Sequence, residues 1–343
     1  MGGGVTENPG GPRRATMMDV AKAADVSLKT VSRFVNGETN ISPVIAARVA
    51  DAIRALSFRR NLAAASIRPG QRTQLVGLII EDLANPFYAA LTRSVELELR
   101  ATGMLLLAAS SEEDSDLHCR LVEQLIERRA DGLIVVPPSV PGDAWARLAA
   151  EVPALVMLDR VDPGVDSDAI VADDEDGGRS ATALLIAHGA RHVAFVGEHL
   201  SLPTIAGRHR GHLAALAEAG LAADPALTID QVRTPDEVAD AVAGLLRSGR
   251  PVDAVFASNN RASIGTLKAF RALGTRRALV GFDDFEAAPL VEPAVTVVTH
   301  DVGTMGRLAA QALLARIGGS RAPSVHTVLP TMILARGSER PPA

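Results

Sequence analysis

The stretch from Thr16 to Gly37 reads TMMDVAKAADVSLKTVSRFVNG, and its two short apolar stripes decide how the rest of the chain is read. Thr16 is a suitable N-cap, Asp19 places a carboxylate at the positive end of a helix, and Met18, Val20, Ala21 and Ala24 form one apolar face. After the turn Ala24-Asp25-Val26, Ser27 caps a second helix whose Val31, Phe34 and Val35 fall at i, i+3 and i+4, with Asn36-Gly37 as its stop. Two helices this short need a third to make a core. Ser42-Pro43, an N-cap followed by proline at the first helical position, opens one carrying Val44, Ala47, Ala50, Ile53, Ala55 and Leu56. Together they predict a helix-turn-helix unit whose second helix, led by Ser27-Leu28-Lys29-Thr30, enters a major groove.

A chain of 343 residues with 47% hydrophobic side chains is too long for that unit alone and predicts two or three domains. It contains no apolar run of about 18 residues or more. Met1-Gly2-Gly3-Gly4 leads into polar, turn-rich sequence, so residues 1–14 read as a disordered tail on a cytoplasmic protein with no membrane partner. The single cysteine, Cys119, excludes an intramolecular disulfide, and its helical, mixed-charge surroundings predict a structural thiol. Charge is uneven. Between Arg13 and Arg72 stand eleven Lys/Arg and four Asp/Glu, a net of +7, so the remainder carries −12 to give the total of −5. A basic head on an acidic body points the head alone at a polyanion.

From Phe58 the text FRRNLAAASIRPG combines a cap at Asn61, a run of alanines, one bulky apolar residue at Ile67 and a stop at Pro69-Gly70. A helix of about two turns is marginal in water, so this segment reads as one that forms only when held, with DNA as the holder. Beyond Arg72, short Val/Ile/Leu-rich strand candidates alternate with amphipathic helices. Examples are Leu75–Ile80, Gly132–Val136, His192–Val196 and Ala278–Phe282. That alternation predicts parallel sheets covered on both faces, and about ten strands are more than one open sheet takes comfortably, so two α/β lobes are expected. Ligands in such folds bind beyond the carboxyl ends of the strands, here between the lobes. The strand ends are polar: Ile80 precedes Glu81-Asp82 and Asn85-Pro86-Phe87-Tyr88, Leu158 precedes Asp159-Arg160, Ala257 precedes Ser258-Asn259-Asn260, and Phe282 precedes Asp283-Asp284. Any one of these reads equally as a helix cap; four together favour a site for the hydroxyls of a small polyol or sugar.

MMDVAKAADVSLKTVSRFVNG, NLAAASIR, DLANPFYAAL, ADGLIVVPP, LVMLDR, RHVAFVG and VGFDDFEAAPLVEPAVTVV occur in this order, and with them the sequence resembles the LacI/GalR family of transcriptional regulators from Thr16 to about Gly337. The resemblance implies an all-α helix-turn-helix head at 15–59, a hinge helix and linker at 60–72, and a two-lobed α/β core like a periplasmic binding protein at 73–340. It places the N-lobe at about 73–171 plus 299–326 and the C-lobe at about 172–298 plus 327–340. It implies a homodimer that grips a double-stranded DNA operator, a sugar-like effector in the cleft, and no cofactor, metal or enzymatic activity. Carried over by position, Leu28, Lys29 and Arg33 are the base readers; Lys29 can donate to guanine or to phosphate, and Leu28, which also continues the Val31/Val35 stripe, has half core as its alternative. Thr16, Ser27, Thr30, Ser32 and Asn36 are phosphate or capping groups, and Asn61, Ala64, Ile67 and Arg68 belong to the hinge, with Ile67 as the minor-groove wedge. Matching effector positions are Phe87, Ser110, Asp159, Arg160, Thr204, Arg208, Asn259 and Asp283.

The chain departs from the family pattern at several points. Asp25 stands where the turn usually has glycine, Arg60 replaces a proline before the hinge cap, and Asn259-Asn260 replaces the common Asn-Asp. The stretch around Arg233-Thr234-Pro235 lacks an aromatic residue for stacking on a sugar. A solute-binding receptor without a DNA role is the alternative that the core alone allows, and the basic head argues against it. Neither the Asp283-Asp284 and Asp173-Asp174 pairs nor the scattered histidines come with the other parts of a catalytic or zinc motif.

Overall fold

In the computed structural model, residues 15–35, 38, 40–58, 72–140 and 142–342 are described. The chain divides into two compact units, Met1–Thr73 and Gln74–Ala343.

The first unit is built on α1 (Met17–Ala23), α2 (Leu28–Val35) and α3 (Pro43–Ala55). Val20, Ala21 and Ala24 from α1 and its turn meet Val31 of α2 and Val49 and Ala52 of α3 in one small core. Thr16 and Asp19 form a reciprocal capping box: the Asp19 amide donates to Thr16 Oγ1 at 3.3 Å and the Thr16 amide donates to Asp19 Oδ2 at 2.8 Å. Ser42 occupies the N-cap position of α3 but makes no capping hydrogen bond, so Pro43 carries the start of that helix.

The second unit contains two sheets of six strands each. The first lobe holds β1 (Leu75–Ile80), β2 (Leu105–Ser110), β3 (Gly132–Val135), β4 (Leu155–Leu158), β5 (Asp168–Ala172) and β11 (His326–Leu329). Their order is β11-β5-β4-β3-β1-β2, and every pairing is parallel. Its connections include α4 (Pro86–Ala101), α5 (Ser115–Glu127) and α6 (Asp143–Glu151), and α11 (Val302–Ile317) joins it from later in the chain. The second lobe holds β6 (Val193–Val196), β7 (Thr228–Ile229), β8 (Ala254–Ala257), β9 (Ala278–Phe282), β10 (Thr296–Thr299) and β12 (Met332–Leu334) in the order β12-β10-β9-β8-β6-β7. Only β12 runs antiparallel to its neighbour. Helices α7 (Asp174–Ala187), α8 (Pro203–Glu218), α9 (Pro235–Arg247) and α10 (Asn260–Leu273) cover it. Buried clusters lie on both faces of each sheet, which is why the central strands are continuous apolar runs rather than alternating ones.

The chain passes between lobes after β5, after β10 and between β11 and β12. The last crossing corrects the boundary expected at 326/327. His326–Leu329 pairs with β5 in the first sheet, so the chain leaves at Pro330-Thr331. Hydropathy could not place it, because β11 is largely exposed and offers no buried run.

Two glycines bring α7 and α8 together closely. A Cβ on Gly178 would stand 2.2 Å from the Arg208 carbonyl oxygen, and one on Gly211 would stand 2.0 Å from the Glu175 carbonyl oxygen. The missing side chains let the two backbones touch, and that contact fixes Arg208 at the edge of the cleft.

Candidate functional site

In the head, Ser27 Oγ accepts the Thr30 amide at 3.1 Å and lies 2.9 Å from Thr30 Oγ1, so these two hydroxyls close the start of α2. Leu28 is 46% exposed, which removes it from the core: Val31 alone of this helix is buried, and the half-core reading of Leu28 is corrected. Lys29 is exposed beside it, and Ser32 is half-buried. Arg33 is occupied within the head: its Nε donates to Glu38 Oε2 at 2.8 Å, and its Nη2 reaches the Asn40 carbonyl at 3.2 Å as well as Asn40 Oδ1. Asp25 has φ +52, and Arg48 Nη2 donates to the carbonyls of Ala24 and Asp25 and to Asp25 Oδ2. Sequence reasoning found the unusual turn residue and missed the arginine that braces it, since the two are 23 positions apart. Asn36, Asn61, Ala64, Ile67 and Arg68 lie outside the described residues, as do Arg60 and the rest of the hinge segment.

In the core, the polar residues after the strand ends form three groups of ion pairs. Asp159 and Arg160 follow β4, with Asp159 at φ +66. Tyr88 Oη donates to Asp159 Oδ2 at 3.0 Å, and Arg160 forks onto Glu113, with Nη1 at 3.0 Å from Oε2 and Nη2 on Oε1. Both Asp159 and Arg160 are buried. In the second lobe, Arg208 Nε donates to Asp174 Oδ1 at 2.7 Å, and Nη1 donates to the Ser258 carbonyl at 2.7 Å and to Asp283 Oδ2 at 3.3 Å. The guanidinium lies 3.6 Å from the centroid of the Phe282 ring. The third group joins the lobes: Arg261 Nη1 donates to Glu81 Oε1 at 2.9 Å and Nη2 to Asp82, Asn260 Nδ2 donates to Asn85 Oδ1 at 2.8 Å, and Arg233 Nη2 donates to the Glu112 carbonyl at 3.0 Å.

Burial dominates the protonation of these groups. Desolvation pushes Asp174 up to about 7 against the pull of Arg208, and it pushes Glu198 up to about 7, with the charge of Glu81 adding to the effect. Asp159 and Glu81 are raised by burial as well. Arg208 and Arg160 are held charged despite burial by their carboxylate partners.

Of the expected effector residues, Asp159, Arg160, Arg208, Asn259 and Asp283 are brought to the facing strand ends. Asn259 Nδ2 donates to Glu198 Oε1 at 2.8 Å, and its Oδ1 caps α10. Phe87 is buried edge-on against Tyr88 and His300, at 4.9 and 5.6 Å between ring centroids. Thr204 is buried in the first turn of α8. Ser110 ends β2 and accepts the Leu83 amide at 2.9 Å, a bond that fixes the loop after β1. Sequence reasoning did not bring Glu113, Glu198, Arg261 and His300 to the site and met Asp174 only as half of an Asp pair; Glu113, Glu198 and His300 lie in loops and Arg261 in the first turn of α10, where no local pattern marks them. Asp284, expected beside Asp283, pairs instead with Arg336, its Oδ2 2.6 Å from Nη2. Several buried atoms here accept or donate no hydrogen bond within the protein: Asp283 Oδ1, Asn260 Oδ1, Ser258 Oγ, both ring nitrogens of His300 and Arg160 Nε, the last of which lies 3.8 Å from Asp159 Oδ2. Buried polar groups are normally satisfied, so these atoms are left to hydrogen-bond solvent or a ligand. Among the described residues no group of side chains suits a metal ion, and no helix is long and apolar enough to cross a membrane.

Residues 16–61 match the family model described as bacterial regulatory proteins, lacI family, and residues 182–338 match the periplasmic binding protein-like domain. The chain is 31% identical over 335 residues to the HTH-type transcriptional regulator GalR of Escherichia coli (strain K12), covering 96% of this chain and 97% of that one. The structure of a transcriptional regulator CelR–cellobiose complex superposes with a TM-score of 0.70 at 31% identity, covering 95% of this chain and all (100%) of that one. The lac repressor dimer bound to operator and the anti-inducer ONPF superposes with a TM-score of 0.85 at 22% identity over 96% of this chain and 100% of that one, a likeness of fold. The helix-turn-helix head, the two-lobed core with parallel sheets and these relatives lead to one conclusion: the chain belongs to the lacI family of DNA-binding bacterial transcriptional regulators.

Proposed function

We propose that this protein represses transcription by binding, as a dimer, a pseudo-palindromic DNA operator through its helix-turn-helix head, and that a small sugar-like effector in the cleft between the lobes of the core controls that grip. The observation that carries the effector half is the convergence of Asp159, Arg160, Arg208, Asn259 and Asp283 from both lobes around the facing strand ends. They sit where ligands of such folds bind, and the related CelR structure is a cellobiose complex. For the DNA half, Leu28 and Lys29 are exposed side by side at the start of α2, free of the head's own core. For the dimer, the edge strand β2 of the first sheet exposes Leu105 and Leu107, an apolar edge suited to a second copy.

Control follows from linkage. Both lobes contribute to the cleft, so an effector that bonds both favours one arrangement, and a head attached to the core responds to that arrangement. A coupling of about 1 to 3 kcal/mol changes operator affinity about 5- to 150-fold. The test is a fluorescence anisotropy titration of the full chain against DNA from its own upstream region, at low salt, with and without a panel of mono- and disaccharides. Saturable binding that one sugar shifts is expected; absence of binding in every condition would remove the regulatory reading.

A further inference from the structure

We infer that the second lobe carries a small-molecule site of its own, away from the cleft, and that it takes a small, mainly apolar alcohol of the phenol or cyclic-alcohol type. A cavity of about 450 Å³ lies at the outer edge of the second sheet, between α8, the edge strand β7 and the turn at Pro225–Leu227. That volume is in the range of cavities that enclose small ligands.

One face of α8 builds it. His209, His212, Leu213 and Leu216 fall at i, i+3, i+4 and i+7, and all of them line the cavity. Arg208, one residue before His209, is spent elsewhere, on Asp174, the Ser258 carbonyl and Asp283. None of Asp159, Arg160, Arg208, Asn259 and Asp283 lines the cavity, so it is distinct from the site between the lobes.

The walls select the ligand. Val193, Leu200, Leu213, Leu216, Pro225 and Leu227 make most of the surface apolar, and two imidazoles stand among them. His212 is bonded through Nδ1 to Thr182 Oγ1 at 2.9 Å, which leaves its Nε2, and Nε2 of His209 has no partner among the described residues. Burial pushes His212 down to about 3, with the charge of His209 adding to the effect, and it lowers His209 against the pull of Asp230. Both rings are neutral at neutral pH, and surroundings that keep a proton off them penalise charge on a ligand as well. Asp224 is paired with Arg250, and Arg191 and Asp230 contribute one charge of each sign, so the lining has no net attraction for an ion. A neutral imidazole offers one donor and one acceptor, and a hydroxyl answers either. A sugar brings several hydroxyls, most of which these apolar walls leave unpaired; a hydrocarbon ring with a single hydroxyl avoids that cost.

The experiment is an NMR titration of the full chain, its histidine rings labelled with carbon-13, against matched probes: p-cresol, 4-methylcyclohexanol, p-xylene and p-toluate. At least one of the two alcohols should shift the His209 and His212 signals saturably and leave His326, in the first lobe, unmoved. Their relative affinities separate the phenol from the cyclic alcohol. Against the tighter alcohol, p-xylene, which lacks the hydroxyl, and p-toluate, which is charged, should each bind more weakly by about threefold or more. Leu213→Trp, at a partly exposed position of the wall, fills the cavity and should abolish the shifts. The inference is overturned if both alcohols leave the two rings unmoved, if p-xylene or p-toluate binds as tightly as the alcohol, or if a folded Leu213→Trp chain binds undiminished. Should that variant not fold, the probe series in the parent chain decides alone.

Discussion

Arg261 Nη1, on the second lobe, donates to Glu81 Oε1, on the first, at 2.9 Å, and its other terminal nitrogen reaches Asp82. Glu81 is buried and Arg261 largely so, and the pair lies beside the Asn260–Asn85 bond that joins the same two loops. Loss of one partner leaves the other carrying the cost of a buried charge, whereas loss of both is milder. Arg261→Gln should therefore lower the stability of the core by about 1 to 3 kcal/mol, and Glu81→Gln in the same chain should recover part of it. A double-mutant cycle in urea measures the coupling; a value below about 0.5 kcal/mol would mean that the lobes are not held together by this pair.

His118 gives the core a defined sensitivity to acid. Its ring is fully buried edge-on against Trp145, 4.9 Å between centroids, with neither nitrogen hydrogen-bonded. Burial lowers it from 6.5 to about 4, against the opposing charge of Glu113. The folded state binds the proton more weakly than the unfolded chain, so stability is fully present above about pH 6.5 and is lost as the pH falls toward 4. Between pH 7.5 and 5 this one group removes about 2 kcal/mol. His118→Phe, of similar shape and with no proton to gain, should abolish that part of the acid loss. Denaturant melts at the two pH values check it; equal acid loss in variant and parent would place the sensitivity elsewhere.

The turn of the head invites a paired substitution. Asp25 sits at φ +52, a conformation that costs a residue with a side chain about 1 kcal/mol relative to glycine. Its ion pair with Arg48 is largely exposed and contributes little. Asp25→Gly should accordingly stabilise the head by about 0.5 to 1 kcal/mol. Arg48→Ala should destabilise it by about 1 to 2 kcal/mol, because the Ala24 and Asp25 carbonyls lose their donor. Hydrogen exchange of the α1 and α2 amides reads both effects.

These residues also show what the sequence makes legible. The capping box at Thr16 and Asp19, the buried stripes of the head and the apolar runs of the central strands are local patterns, and local patterns predict local structure. The positions of Asp159 and Asp283 were found because strand ends are marked by where apolar runs stop, whereas Arg208, inside α8, came only with the family resemblance. The pairing of Arg261 with Glu81 was not found, because a guanidinium on α10 and a carboxylate after β1 are 180 residues apart and meet only through the topology. Gly178 and Gly211 were equally silent: glycine in a helix reads as a weakness, and only the backbone of the facing helix gives it a purpose. Short exposed strands such as β11 carry no hydrophobic signature, which is why the last lobe crossing was misplaced by a few residues.

Arg33 faces a choice between the head and DNA. Its guanidinium is held by Glu38 and Asn40, whereas the family resemblance implies a base reader, a role that would take it away from Glu38. Glu38→Gln keeps an acceptor but removes the charge that holds Arg33 and repels phosphate. The pair is partly exposed, so the gain in operator affinity should be only a few-fold, corresponding to about 0.5 to 1 kcal/mol. Arg33→Ala should cost about 1 to 3 kcal/mol and relax preference at one base pair in each half-site, whereas Lys29→Ala, if Lys29 bonds phosphate, should weaken all sequences alike. The decisive measurement is the combination. If release of Arg33 is the cause, Glu38→Gln gains much less in the Arg33→Ala background; if the gain is undiminished, it comes from reduced repulsion of the DNA backbone, and Arg33 was never restrained by Glu38 in a way that affects binding.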